Sequence, residues 1–446
     1  MSLRRRLMSK LQSVISSDGG DPLPLRLVFW DGDTFDFAPA PAVTLTLHSP
    51  ALMRALFTGR FDKLGDAYVS GGLTVDGRIE DILRIGIDLA ERIGRAPQVV
   101  RLAKPLKLLS FRHSKRNDAK AIAHHYDVSN EFYRLWLDES MTYSCAYFRT
   151  GAEDIDTAQA QKIDHICRKL RLQPGDHVLD IGCGWGGLLC AAGRRYGITG
   201  VGITNSAAQH QLARERVEAL GLSDRIDIRL QDYRELSGDA LFDKVVSVGM
   251  YEHVGLANLP DYVATIVRLL KPGGALLNHG IITTDAEGRP QGPPGGEFIN
   301  RYVFPGGELP NLPRALTEFM RGGLEPADVE DLRPHYARTL LLWVRRLEAR
   351  RDAVIAAGGP ERYRIWRVYL AGMAHAFDRR WLSVVQVLAY KPRHNRPAPR
   401  PWTREYQYRA GEPCSTAGAM DWNSLDRRIL RSSNLARWGN FIPVAE

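Results

Sequence analysis

The chain has 446 residues, 44% of them hydrophobic, enough for two or three domains with sizeable cores. Its formal net charge of +9 predicts an anionic partner, and composition alone does not choose between nucleic acid and an acidic membrane surface. No apolar run approaches the roughly 18 residues a bilayer-spanning helix needs, and the five scattered cysteines (Cys145, Cys167, Cys183, Cys190, Cys414) lack C-x-x-C spacing, which argues against a metal cluster and for reduced thiols in a cytoplasm.

Residues 3–15 place Leu3, Leu7, Met8, Leu11, Val14 and Ile15 near helical spacing, with Arg4, Arg5, Arg6 and Lys10 between them. Such a helix either lies on an anionic membrane or packs on its own domain with a solvated basic face. The segment lacks the apolar core and small-residue cleavage site of a secretory signal.

Leu25 to Trp30, the Asp31-Gly32 turn and the alternating run Val43 to Leu47 predict a strand hairpin and a further strand. A short helix starts at Ser49-Pro50 and runs through Leu56, residues 65–77 are turn-rich, and Glu80 to Ile93 is helical. This order resembles sterol-carrier-type lipid-binding domains; the alternative is an α+β appendage that only packs on the main domain. From Lys104 to Lys120 the chain is basic, with Asp118 as its one acid. That connector is either a solvated linker or a contact for phospholipid headgroups.

From Ile122 helices and strands alternate, as in a doubly wound α/β domain. Helical spacing runs from Thr157 to Leu170, and short apolar strands fall at 177–181, 199–204, 225–230, 243–248 and 275–282. Several helices follow Asn311, and Leu382 to Tyr390 reads as a last strand. Beyond Lys391, prolines among arginines predict an extended segment, whose tail carries Trp402, Trp422 and Trp438.

The central stretch is Val178-Leu179-Asp180-Ile181-Gly182-Cys183-Gly184-Trp185-Gly186. It reads as a buried strand, a glycine turn and the start of a helix from Leu188 to Arg195, whose N-terminal amides would face a ligand. Gly182, Gly184 and Gly187 also match the dinucleotide fingerprint G-x-G-x-x-G. Against that reading, Asp180 would crowd a pyrophosphate, and the second strand ends in Ile203-Thr204-Asn205 with no acid for a ribose. A cationic ligand with an amino-acid tail fits better, which points to S-adenosylmethionine.

In such sheets ligands sit beyond the carboxyl ends of the strands. There lie Thr204, Ser206 and Gln209, then Asp232-Tyr233 placed to flank an adenine, then Glu252 and, one strand on, His279. A Glu–His pair at adjacent strand ends suggests controlled proton handling; His279 alone would read as a structural histidine.

Six motifs carry a resemblance over about residues 120–390: His125-Tyr126-Asp127-Val128-Ser129, Thr142-Tyr143-Ser144-Cys145-Ala146-Tyr147-Phe148, the glycine loop, Gly249-Met250-Tyr251-Glu252-His253-Val254-Gly255, Phe304-Pro305-Gly306-Gly307-Glu308-Leu309-Pro310 and Pro334-His335-Tyr336-Ala337-Arg338-Thr339-Leu340. Together they resemble the cyclopropane-fatty-acyl-phospholipid synthases and the related mycolic-acid methyltransferases. The resemblance implies a Rossmann-like class I methyltransferase domain using S-adenosylmethionine, preceded by a smaller α+β domain. Boundaries are then expected at 1–110, 111–392 and 393–446, with the last segment outside the resemblance.

The resemblance also implies a reaction. The cis double bond of an unsaturated acyl chain in a membrane phospholipid takes the methyl group, and loss of a proton closes a cyclopropane. A bound bicarbonate ion would be the base, caged by Cys145, Glu252, His279, the backbone of Ile281 and Tyr336. Cofactor contacts would be Tyr143, Ser144, Val178 through Gly186, Thr204, Asn205, Ser206, Gln209, Asp232 and Tyr233. Tyr126, Tyr302, Phe304 and Tyr336 could steady a developing cation or pack the acyl pocket. The expected setting is cytoplasmic and peripheral to the inner membrane face, with no nucleic acid and no metal, and the resemblance favours a homodimer. Rival readings are the same first step ending in a methylene, methyl-branched or hydroxylated lipid, and a small-molecule or nucleic-acid methyltransferase.

Overall fold

A computed structural model describes residues 8–9, 12, 21–57, 60–95, 129–289, 296–304, 307–394, 396–398, 400–408 and 421–432. Most of the 3–15 helix, the 104–120 connector, His125, Tyr126, Cys414 and Trp438 lie outside the described residues.

The contacts divide the chain into two compact units. The first gathers residues 1–111 with 292–305 and 347–376, and the second holds the rest. A single boundary at residue 110 therefore does not describe it, because two later stretches pack with the N-terminal residues. Arg301 and Tyr302 both bond Asp66, Arg364 donates to the Val69 carbonyl at 2.8 Å, and the buried Arg367 reaches Tyr68 and Val75. Tyr302 and Phe304 belong to this unit, where the Tyr302 hydroxyl donates to Asp66 at 2.8 Å.

The first unit contains a four-stranded sheet in the order β2-β1-β3-β4, from Thr34–Asp36, Leu25–Val28, Val43–Leu47 and Leu73–Asp76. β1 and β2 form the expected hairpin, with Gly32 in the left-handed region (φ 82°). The stretch from residue 65 is not all turn: Phe61–Ser70 is a helix ending at Gly71, whose φ of 84° caps it. Gly65 sits inside that helix because a Cβ there would press on Phe298 at 3.3 Å.

The second unit is built on a seven-stranded sheet in the order β10-β11-β9-β8-β5-β6-β7. β5 (His177–Ile181), β6 (Thr199–Thr204), β7 (Ile226–Leu230), β8 (Phe242–Val248) and β9 (Leu270–Thr283) pair in parallel. β11 (Leu382–Tyr390) runs antiparallel to β9 and to β10 (Glu325–Asp331). The sequence reading did not include β10. Apolar cores cover both faces: one contains Val178, Leu189 and Ile226, the other Leu179, Val245 and Tyr262. This is the doubly wound arrangement expected, with an antiparallel strand pair added at one edge.

Among the described residues no helix is long and apolar enough to cross a membrane. The segment after Lys391 is not only extended. It forms the helices Glu405–Tyr408 and Trp422–Ser432, and the second buries Trp422, Leu425 and Ile429 in the core of this unit. Trp402 stands fully exposed.

Candidate active site

Parallel strands place their carboxyl ends on one edge of the sheet, and a cavity opens there. Of the residues expected at the cofactor, Tyr143, Ser144, Asp180, Ile181, Gly182, Cys183, Gly184, Trp185, Thr204, Asn205, Gln209, Asp232 and Tyr233 line it. The loop turns through Gly182, Gly184 and Gly186, with φ of 84°, 56° and 78°. At Gly182 a Cβ would also meet Met250 at 3.1 Å. The N–H groups of Gly182 and Cys183 both donate to the Ile203 carbonyl, fixing the loop to β6.

Four residues expected at the cofactor do not line the cavity. Val178 and Leu179 lie wholly inside the cores of the central strand. Gly186 caps the helix Gly187–Tyr196 and faces Ala213. Ser206 caps the helix Ala207–Ala219, its hydroxyl accepting from the Gln209 N–H.

The cavity can be tested against S-adenosylmethionine by its donors and acceptors. Asp180 is buried at its floor, and burial pushes its carboxyl up to about 7, partly offset by the charge of Lys162. A cationic amino group is the partner that relieves such a carboxylate. Thr204 and Gln209 share a hydrogen bond of 2.7 Å at the end of β6. Burial opposes ionisation of Asp232, but the hydrogen bonds from Arg234 hold it below the usual carboxylate range. The residues present fit a ligand with an amino-acid tail, a ribose and a flat base.

Lys162, absent from the residues expected at the site, also lines this cavity. It is 2% exposed and its Nζ donates to Ser144 Oγ at 2.9 Å. Burial pulls its pKa down to about 8, and the charges of Asp138 and Asp180 resist this. Its helix, Ile155–Lys169, carries Gln159, Lys162, His165 and Lys169 three to four residues apart, all buried. That spacing was the available signal. Gln159 completes the support by donating to the carbonyls of Thr142 and Ser144.

The residues expected to form an anion cage are linked to one another and to the cavity lining through backbone. Cys145 follows the lining residue Ser144, and Glu252 lies between the lining residues Met250 and His253. His279 and Ile281 sit two apart on β9, so their side chains share a face. β11 pairs Gln386 with His279 and Val384 with Ile281. Leu332 donates to Val384 at 2.8 Å, the Cys145 thiol points at the Leu332 carbonyl, and Tyr336 is one helical turn beyond. Gly280 must be glycine, because a Cβ would fall 1.9 Å from the Tyr251 ring.

Glu252 is fixed by one oxygen only. Its Oε1 accepts the Ile281 N–H at 2.7 Å, while Oε2 is buried with no hydrogen-bond partner among the described residues. His279 matches it: the Gln386 amide lies 3.1 Å from Nδ1, and Nε2 is buried without a partner among the described residues. With the Gln386 nitrogen on Nδ1, the imidazole proton sits on Nε2. Burial pushes Glu252 up to about 7, and burial with the charges of Lys162 and Lys169 pulls His279 well down. The pair therefore offers one donor and one carboxyl poised near neutrality. The Ile281 N–H is already engaged by Glu252, and its carbonyl accepts the Tyr251 hydroxyl at 2.9 Å, so Ile281 acts here by holding these side chains. Burial raises the Cys145 thiol, which makes it a neutral wall group and not a thiolate.

Aromatic rings pack around Tyr143 and Tyr336. Tyr143 lies 5.3 Å from Trp343 and 5.5 Å from Trp136, and Tyr336 packs at 4.6 Å on Phe377. Among the described residues there is no cluster able to hold a metal ion.

The sheet order and the cavity at its carboxyl edge define a Rossmann-like class I S-adenosylmethionine methyltransferase. Coclaurine N-methyltransferase shares that fold at 19% identity, with a TM-score of 0.58. More narrowly, the chain belongs to the mycolic acid cyclopropane synthetase family, whose model matches residues 113–387. A second model, of a domain of unknown function, matches residues 15–95. A probable fatty acid methyltransferase of Pseudomonas putida is 48% identical over 387 residues, covering 87% of this chain and 97% of its own. The cyclopropane-fatty-acyl-phospholipid synthase of Escherichia coli is 40% identical over 267 residues, or 59% of this chain and 66% of its own. Among solved structures, the cyclopropane synthase MmaA2 of Mycobacterium tuberculosis is 32% identical with a TM-score of 0.58, covering 61% of this chain and 98% of its own. The mycolic acid cyclopropane synthase CmaA1, solved with SAH and CTAB, is 33% identical, with a TM-score of 0.57 over the same 61% of this chain and 98% of its own. The protein is thus an S-adenosylmethionine-dependent methyltransferase of the mycolic acid cyclopropane synthetase family.

Proposed function

We propose that this enzyme methylates the cis double bond of unsaturated acyl chains in membrane phospholipids and forms a cyclopropane ring. The observation that supports this most is that Glu252 Oε2 and His279 Nε2 are each buried without a partner among the described residues, with Glu252 bonded to Ile281, two residues from His279 on β9. When bound, S-adenosylmethionine supplies an electrophilic methyl group, and bicarbonate would supply a base held by this pair. An alkene has no lone pair, so the site must contribute proximity, dryness and a place for the departing proton. Cys145, Tyr336 and the aromatic wall exclude water. Glu252, with its carboxyl near 7, takes up and releases a proton at neutral pH, while neutral His279 donates from Nε2 and holds an anion in place.

The net charge of +9 supports docking on the anionic inner face of a membrane, and a homodimer would double that contact. A second reading has its own support: the Pseudomonas relative, which aligns over most of its length, is named a probable fatty acid methyltransferase. On that reading the proton leaves from another carbon, and a methylene or other methyl-branched chain that keeps one double bond results. Incubating the full chain with unsaturated phospholipid vesicles and labelled cofactor separates the two. Cyclopropanation adds one CH₂ to the acyl chain and removes the double bond. A product that gains CH₂ and remains unsaturated would support the second reading, and label in nucleic acid or small molecules without lipid would refute both.

A further inference from the structure

A buried arginine ties the cofactor loop to a helix beyond the family-matched residues. Arg216 lies on the helix Ala207–Ala219 with no exposed surface. Its Nε and Nη2 grip Asp426 as a fork, at 3.0 and 2.9 Å. Nη1 donates to the carbonyl of Ser140 at 2.8 Å and to that of Trp185 at 3.3 Å. The guanidinium also lies 4.7 Å over the Trp422 ring.

Those two carbonyls belong to two segments, far apart in the chain, that both contribute residues to the cofactor cavity. Trp185 ends the glycine loop, and Ser140 leads into Thr142, Tyr143 and Ser144, all of which line the cavity. Arg134 gives Asp426 a second cation at 2.8 Å, from the short helix that begins at Asn130. Asn130 Oδ1 in turn accepts the Trp185 indole N–H at 2.8 Å. On the same C-terminal helix, Asn423 donates to Glu139 Oε1 at 2.7 Å. Asp426 and Asn423 stand on Trp422–Ser432, whereas the family model stops at residue 387.

We propose that Asp426 is a positioning residue for the methyl-donor site, and that the C-terminal helix clamps the cofactor loop through Arg216. Asp426 compensates the buried guanidinium and fixes its plane, so that Nη1 reaches both carbonyls at once. Without that carboxylate the guanidinium turns toward water and releases Trp185 and Ser140. The cofactor walls then lose their spacing while the acyl side of the site is untouched. The proposal rests on the cavity binding S-adenosylmethionine and not on which lipid product forms.

The test uses the full chain with Asp426→Asn, Asp426→Glu and Asn423→Ala. SAH binding is measured by calorimetry without lipid, with thermal melting as a control and KM taken separately for S-adenosylmethionine and for vesicles. Asp426→Asn should weaken SAH binding about tenfold and raise the cofactor KM equally, leaving the vesicle KM unchanged. Asp426→Glu should recover part of the affinity. SAH affinity within about twofold of wild type in Asp426→Asn would overturn the proposal, as would a uniform loss in every parameter that follows the unfolded fraction. If Asp426→Asn does not fold, the exposed Asn423→Ala decides, with a loss of about threefold expected and none contradicting. A wild-type chain that binds no SAH would instead refute the functional reading.

Discussion

Glu252→Gln separates the protonation of this site from its shape. In the wild type, burial displaces the Glu252 carboxyl from 4.5 to about 7, and the Ile281 N–H offsets only part of it. At about 1.36 kcal/mol per pH unit, the ionised side chain costs the folded protein about 3 kcal/mol. Because the folded pKa lies above the unfolded one, the folded state holds the extra proton between about 4.5 and 7. This contribution to stability is therefore full below about pH 4.5, falls through that window and levels off above it. The glutamine keeps an oxygen for the Ile281 N–H and carries no charge. Urea unfolding should show the variant gaining up to about 3 kcal/mol over wild type at about pH 8 and little at about pH 4.5. Turnover on unsaturated vesicles should fall on the order of a hundredfold or more, with SAH affinity kept. An equal stability difference at both pH values, or full activity, would refute the reasoning.

Three further outcomes follow from the same geometry. With Asp180 near 7 and ionised above it, SAH affinity should weaken about tenfold from about pH 8 to about pH 6, and Asp180→Asn should bind weakly with that pH slope gone, both read by calorimetry. Gly280→Ala pushes a methyl into the Tyr251 ring, whose hydroxyl is tied to Ile281, so a melting or urea experiment should show about 1–3 kcal/mol of destabilisation and a larger loss of turnover. If the basic surface docks the enzyme, the rate on anionic vesicles should fall as salt rises, and a salt-independent rate would contradict that docking.

Much of the cavity lining was legible because its signals are local. Asp180, the glycines and the polar residues after β6 and β7 stand next to the strands that present them, and apolar strands between turn residues are easy to read. β10 was hidden by its own chemistry: Glu325-Pro326-Ala327-Asp328-Val329-Glu330-Asp331 looks like a loop. It is a strand because partners far along the chain accept its acids, the buried Lys169 on Asp328 at 3.0 Å and His165 on Glu330 at 2.7 Å. The helix Phe61–Ser70 was obscured by glycines that serve packing and capping. Lys162 was passed over because a lysine in a helix ordinarily faces water. The pairing of Arg216 with Asp426 spans 210 residues, and no spacing rule reaches that far.

The proton-handling role of the Glu252 and His279 pair is tested most directly by bicarbonate dependence. Turnover of the wild-type enzyme on unsaturated phospholipid vesicles is measured in degassed, bicarbonate-depleted buffer and again after bicarbonate is restored. The pair as an anion cage predicts a rate that collapses on depletion and returns on addition, with Glu252→Gln unresponsive in both. Full turnover in depleted buffer, unchanged by added bicarbonate, would contradict it.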